Sequence, residues 1–163
     1  MATSQLQDVT GSRGESVVYL CLTDYSGFAA PLFRAAFLGD KWPALDFYVE
    51  LRTTRGAGLY FFGQAKSTAL PLKKRSRVLP VTADRDDVDR LLRIPAPTYV
   101  LGVHEPSKRV FIRAVHSGTP SKSISSIPLT HELTPAALQV LHDEVVAYWG
   151  AVSPSKPSTS AFT

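Results

Sequence analysis

The hydrophobic positions change their period along the chain. From residue 13 to about 24, after the pair Gly11-Ser12, Val17, Val18 and Cys21 make an apolar stripe at helical spacing, with Leu20 and Leu22 beside it. Ser12 stands where an N-cap would, with Glu15 three residues on, a capping-box arrangement. Period two then takes over. Residues 32–38 read as a short strand closed by the turn Gly39-Asp40-Lys41-Trp42-Pro43. Over residues 46–53, Phe47, Val49 and Leu51 share one face while Asp46, Tyr48 and Glu50 share the other. A second strand, residues 59–67, follows a loop holding Gly56 and Gly58.

Residues 68–83 read as irregular, and RDDVDRLLRI after Asp84 predicts a short helix stopped by Pro95 and Pro97. Residues 99–104 and 109–115 form a hairpin joined by Glu105-Pro106-Ser107-Lys108. The closing helix has Thr134 as N-cap, Pro135 at its first position, a stripe of Leu138, Leu141, Val145, Tyr148 and Trp149, and Gly150 as its stop. A helix, a mixed set of strands and a closing helix predict an α/β or α+β architecture, a central mixed sheet flanked by helices.

Composition narrows the class. The 163 residues, 44% hydrophobic and 10% aromatic, suffice for one core and exclude disorder of the whole chain. Residues 1–12 are polar and read as a flexible N-terminus, residues 13–150 as one folded domain, and residues 151–163 as a disordered Ser/Pro-rich tail. A net charge of +4 excludes a histone-like polycation. The single Cys21 forms no internal disulfide and is too few for a structural zinc site, so a reducing, cytoplasmic setting is expected. No signal-like segment or apolar run of membrane-spanning length occurs, so no membrane association is expected. His104, His116, His131 and His142 lack metal-binding spacing, and no Gly-rich phosphate loop opens a helix.

Candidate chemistry collects on the central hairpin. If its strands pair about a loop centred near residue 56, facing residues have numbers summing to about 112. Asp46 then faces Lys66 and lies diagonal to Gln64, and the three side chains share one face. Mg²⁺ or Mn²⁺ would find oxygen ligands in Asp46, the Gln64 side chain and the Ala65 carbonyl, with Lys66 left to orient a nucleophile or stabilise charge on a phosphate. Glu15 would add a second carboxylate if the first helix packs beside the hairpin. Lys73, Lys74, Arg75 and Arg77 put four basic residues in five positions just past this site, suited to a phosphate backbone. The same residues also read as a solvated cross-strand ion pair beside a solvated basic loop.

The run LDFYVELRTTRGAGLYFFGQAKS resembles the core of the PD-(D/E)XK nuclease superfamily, in the Mrr-like variant with Gln in place of the acidic residue. That resemblance makes Asp46 the metal-binding Asp, Gln64 the (D/E) position, Lys66 the catalytic Lys and Glu15 the acid of the first helix. The span from Arg13 to Trp149 is similar to the bacterial domain-of-unknown-function 4365 family within that fold, through the early helix, the QxKS block, the Pro-preceded stretch PAPTYVLGVHEPSKRVFIRAV and the terminal Tyr148-Trp149. It departs from the family in having Ala44-Leu45-Asp46 where Gly-Ile-Asp is usual, and in the neutral Gln64.

The resemblance implies a restriction-endonuclease-like fold and a metal-dependent DNA endonuclease hydrolysing phosphodiester bonds, as a homodimer or with a partner protein, in bacterial defence. The alternative is a catalytically inactive nuclease-fold module that binds nucleic acid or a protein.

Overall fold

The computed structural model describes residues 2–39, 41–52, 58–72, 75–120 and 122–152, with side chains from residue 11 onward. The chain opens with a helix, α1 (Ala2–Thr23), followed by a meander of β1 (Phe33–Phe37), β2 (Phe47–Leu51) and β3 (Tyr60–Thr68). Then come β4 (Val78–Ala83), α2 (Arg85–Leu92), β5 (Thr98–His104), β6 (Arg109–Val115), β7 (Ile124–Pro128) and α3 (Pro135–Ala151). Among the described residues the main sheet has the order β1-β2-β3-β5-β6, and β4 pairs with β7 in a separate two-stranded sheet. The architecture is the mixed α+β arrangement that the pattern predicts.

The pairing of β3 with β5 makes the sheet mixed. Those two strands run parallel, with Phe62 level with Thr98 and Lys66 level with Gly102, whereas the other neighbouring pairs in the sheet are antiparallel. A parallel pair needs a long crossover, which β4 and α2 supply. Every residue of β5 is buried because both faces of the sheet are covered there.

On one face, Val18 and Leu22 of α1 and Leu138, Leu141 and Val145 of α3 pack on Phe33, Phe47, Phe61 and Leu101. On the other, Val88 and Leu91 of α2 join Leu79, Val81 and Ile127 over Val100 and Phe111. The end of α3 is tied to the start of β3, since the Trp149 indole N–H donates to the Tyr60 carbonyl at 2.8 Å. Arg109 donates two hydrogen bonds to Glu132, which holds the segment before α3 against β6. That guanidinium keeps the Glu132 carboxyl below its ordinary range.

Several expectations about the elements are corrected. Ser12 is not an N-cap: α1 begins at Ala2, and residues 2–12, read from the sequence as a flexible lead, continue the same helix. The Ser16 hydroxyl donates to the Ser12 carbonyl at 3.0 Å, one helical turn back. A helix anchored by Val18 and Leu22 extends through Gly11 because an interior glycine costs only about 1 kcal/mol. Residues 78–83 are a strand rather than irregular, with Leu79, Val81 and Ala83 buried and their alternate neighbours exposed. Pro80 masks the signal, which a proline in a two-stranded edge pair permits. Its partner β7, Ile-Ser-Ser-Ile-Pro, is too short and polar to read as a strand from its own pattern. Gly150 is not the stop of the closing helix, which runs on to Ala151 with Val152 as its C-cap, whereas the helix start signals hold. The Thr134 hydroxyl accepts from the Ala137 N–H with Pro135 next to it, and Asp84 caps α2 through the Asp87 N–H at 2.8 Å. The tail expected over residues 151–163 lies outside the described residues from 153 on. No helix among the described residues is long and apolar enough to cross a membrane.

Gly14 is the point of closest approach between α1 and β3. A Cβ there would stand 1.7 Å from Ser67 Oγ and 2.9 Å from Ser67 Cβ. Helix propensity favours Gly14→Ala by about 1 kcal/mol, but forcing α1 off the sheet costs about 1–3 kcal/mol, so the variant is expected to be net destabilised. Adding Ser67→Gly should recover most of the loss. Denaturant titration of both variants checks this, and a Gly14→Ala protein as stable as the parent would contradict the close packing.

Candidate functional site

The hairpin register differs from the expected one by two. Phe47 is level with Gly63 and Val49 with Phe61, so facing numbers sum to 110, and that register carried one residue past the end of β2 sets Asp46 against Gln64 rather than Lys66. A shift of two keeps every side chain on its expected face. Asp46, Gln64 and Lys66 therefore remain on one side of the sheet, with Ala65 and Ser67 on the other.

The position of Asp46 follows from unequal strand lengths. β2 begins at Phe47, while β3 runs on to Thr68, so β3 outlasts its partner. The Phe62 N–H points toward β5, donating to the Pro97 carbonyl at 3.0 Å. The alternate amides, Ala65 among them, point toward β2. Where β2 has ended, Asp46 takes over: its backbone N–H donates to the Gly63 carbonyl at 3.0 Å, and its carboxylate Oδ2 accepts the Ala65 N–H at 2.6 Å. The carboxylate thus sits beside the backbone of Ala65, whose carbonyl was the third oxygen expected at the site.

Gln64 is 3% exposed, and its Oε1 is buried without a hydrogen-bond partner. Such an atom is uncommon and costs about 1–3 kcal/mol. Lys66 is anchored from another element, its Nζ lying 2.9 Å from Oδ2 of Asp87 on α2.

Glu15 is half-buried on α1. That helix packs on the face carrying Ala65 and Ser67, as the Gly14 approach shows, so its main contact is opposite the face of Gln64 and Lys66. Among the described residues no three His, Cys, Asp or Glu side chains gather as a metal-binding set. The oxygen donors expected at the open end of the hairpin are instead the Asp46 carboxylate, the Gln64 amide oxygen and the Ala65 carbonyl. Lys73 and Lys74 lie outside the described residues; Arg75 and Arg77 are exposed between β3 and β4.

Two residues escaped the sequence reading. Asp87 has a faint signal, an acid in the first turn of the crossover helix, but its reach to Lys66 depends on how α2 docks. His104 is buried at the end of β5, with Nδ1 2.6 Å from the Ser107 hydroxyl and Nε2 without a partner. Cys21 is no nucleophile: burial first, then Asp24 and Glu132, push its thiol up to about 12. A cavity of about 420 Å³ lined by Leu91, Pro97, Tyr99, His116, Glu144 and Tyr148 contains none of the candidate residues.

Asp46 has a structural duty whatever its chemistry. Asp46→Ala leaves the Ala65 N–H without its charged acceptor and should lower stability by about 1–3 kcal/mol. A thermal melt beside any activity assay separates that loss from a chemical one, and an unchanged midpoint would mean the bond contributes nothing. Cys21 should label with a thiol reagent at pH 8 far more slowly than in denaturant, because the reactive thiolate is scarce below its raised pKa.

No model of a known protein family matches the chain, and no curated protein matches it.

Proposed function

We propose that the protein is a Mg²⁺- or Mn²⁺-dependent endonuclease-like protein acting on phosphodiester bonds of DNA, built around Asp46, Gln64 and Lys66. The observation that carries this reading is the buried, unpartnered Gln64 Oε1 on the strand position level with the Asp46 carboxylate. A bound cation would give that oxygen the partner it lacks. The donor chemistry fits, because Mg²⁺ takes oxygen ligands, needs only one or two from the protein, and keeps several waters. The Asp46 carboxylate, held beside the Ala65 backbone, is the charged oxygen donor of the set.

Asp46, Gln64 and the Ala65 carbonyl would hold the cation, which when bound supplies charge neutralisation at the phosphate and activation of water. Lys66 brings a positive charge to the same face, where it would stabilise the developing charge on a phosphate oxygen. Exposed Arg75 and Arg77 would add backbone affinity that falls with salt. The early helix, the hairpin ending in Gln64-Ala65-Lys66-Ser67, the Pro-preceded strand β5 and the closing helix support a nuclease-like fold of the PD-(D/E)XK kind, in an arrangement similar to the 4365 family.

One observation favours the second reading, a non-catalytic nucleic-acid- or protein-binding module. Among the described residues no three His, Cys, Asp or Glu side chains gather at the hairpin, and Lys66 is already paired with Asp87. Incubating the purified protein with plasmid and linear DNA in Mg²⁺ or Mn²⁺ decides between them. Metal-dependent cleavage is expected, and it should fall by two orders of magnitude or more in Lys66→Ala, the scale on which positioned charge acts in catalysis. Salt-sensitive binding without cleavage would establish the binding module, and cleavage that persists in Lys66→Ala would remove the site from consideration.

A further inference from the structure

Lys66 is the candidate residue whose location is least determined by its own strand. Its four-carbon stem is flexible, and its neighbour on the same face two positions earlier, Gln64, is neutral. Asp46 is level with Gln64, and its Oδ2 is engaged by the Ala65 amide. The ammonium is instead met from across the crossover by Asp87 at 2.9 Å, with the Lys66 side chain 29% and the Asp87 side chain 15% exposed. In a partly buried pair of this kind each member depends on the other, because removing one leaves the other charge less well solvated than in open water.

Asp87 is itself well fixed. It lies in the first turn of α2, where the helix dipole favours a carboxylate, and its N–H is bonded to the Asp84 side chain. The next residue, Val88, and then Leu91 are buried in the second core, so α2 cannot shift without disrupting that packing.

We infer that Asp87 is the positioning residue of the Asp46-Gln64-Lys66 site, supplying from α2 the negative charge that neutral Gln64 does not, and thereby holding the Lys66 ammonium on the face it shares with Gln64. The consequence for reaction rests on the nuclease reading above; the positioning itself does not. Charge is relocated here from the strand to the crossover helix, so the site is completed only when α2 docks on β5 and β6.

Amine acetylation of the folded full-length chain, read at Lys66 by peptide mass spectrometry, tests the positioning without any need for activity. Asp87→Asn should label at Lys66 several-fold faster than the parent, Asp87→Glu should keep most of the protection, and Asp86→Asn, an exposed acid in the same turn, should change nothing. The double variant Gln64→Glu/Asp87→Asn restores a carboxylate two residues from Lys66 and should recover the protection; it also serves should Asp87→Asn fail to fold. Equal labelling of Lys66 in the parent and in a folded Asp87→Asn protein would overturn the inference, and a double variant as reactive as Asp87→Asn would overturn the charge relocation. In the DNA assay, Asp87→Asn should lower kcat with little change in KM, with activity rescued by Asp87→Glu. A parent protein that does not cut DNA would end the nuclease reading while the labelling still decides the role of Asp87.

Discussion

The double pairing of β3 is the constraint on which the rest depends. Its first half is bonded to β2 on one side, and its length from Phe62 onward is bonded in parallel to β5 on the other. Because β2 is the shorter strand, the backbone of Ala65 emerges beyond it, and a buried amide must find an acceptor. Asp46 meets that requirement with a carboxylate placed where the missing strand residue would have been. The same arrangement sets an acid beside the strand that carries an amide and a lysine on one face.

The parallel partner has a second effect. To return to β5 in the same direction as β3, the chain must cross over a face of the sheet, and it does so through β4 and α2. The crossover covers Val100 and Phe111 with Leu79, Val81, Val88 and Leu91, and it delivers Asp87 to Lys66. Close contact is possible because Gly102, level with Lys66 on β5, has no side chain: a Cβ there would stand 2.8 Å from Leu79 Cδ2 and from Ile127 Cδ1. Packing and electrostatics at the site are therefore not separable.

The other face belongs to α1 and α3, which pack there chiefly through apolar side chains. Glu15 travels with α1, so the acid expected to complete the hairpin site is on a helix bound to the far side of the sheet.

The sequence by itself determined the elements with strong periodicity and their caps: the alternating hairpin of β2 and β3, the β5–β6 hairpin, α2 after Asp84 and α3 after Thr134. It also determined that Asp46, Gln64 and Lys66 share a face, because alternation along a strand is local and survives a register shift of two. Tertiary structure decided what depends on distant chain. The start of α1 at Ala2 rather than Ser12 follows from a helix already anchored by its buried turns. The β4–β7 pair forms because two individually weak segments bury Leu79 and Ile127 together. The level of Asp46 against Gln64 came from how the hairpin closed, and the partner of Lys66 from where α2 docked. Spacing along one strand records side-chain direction, but a contact between strand and helix exists only once both have packed against the same core.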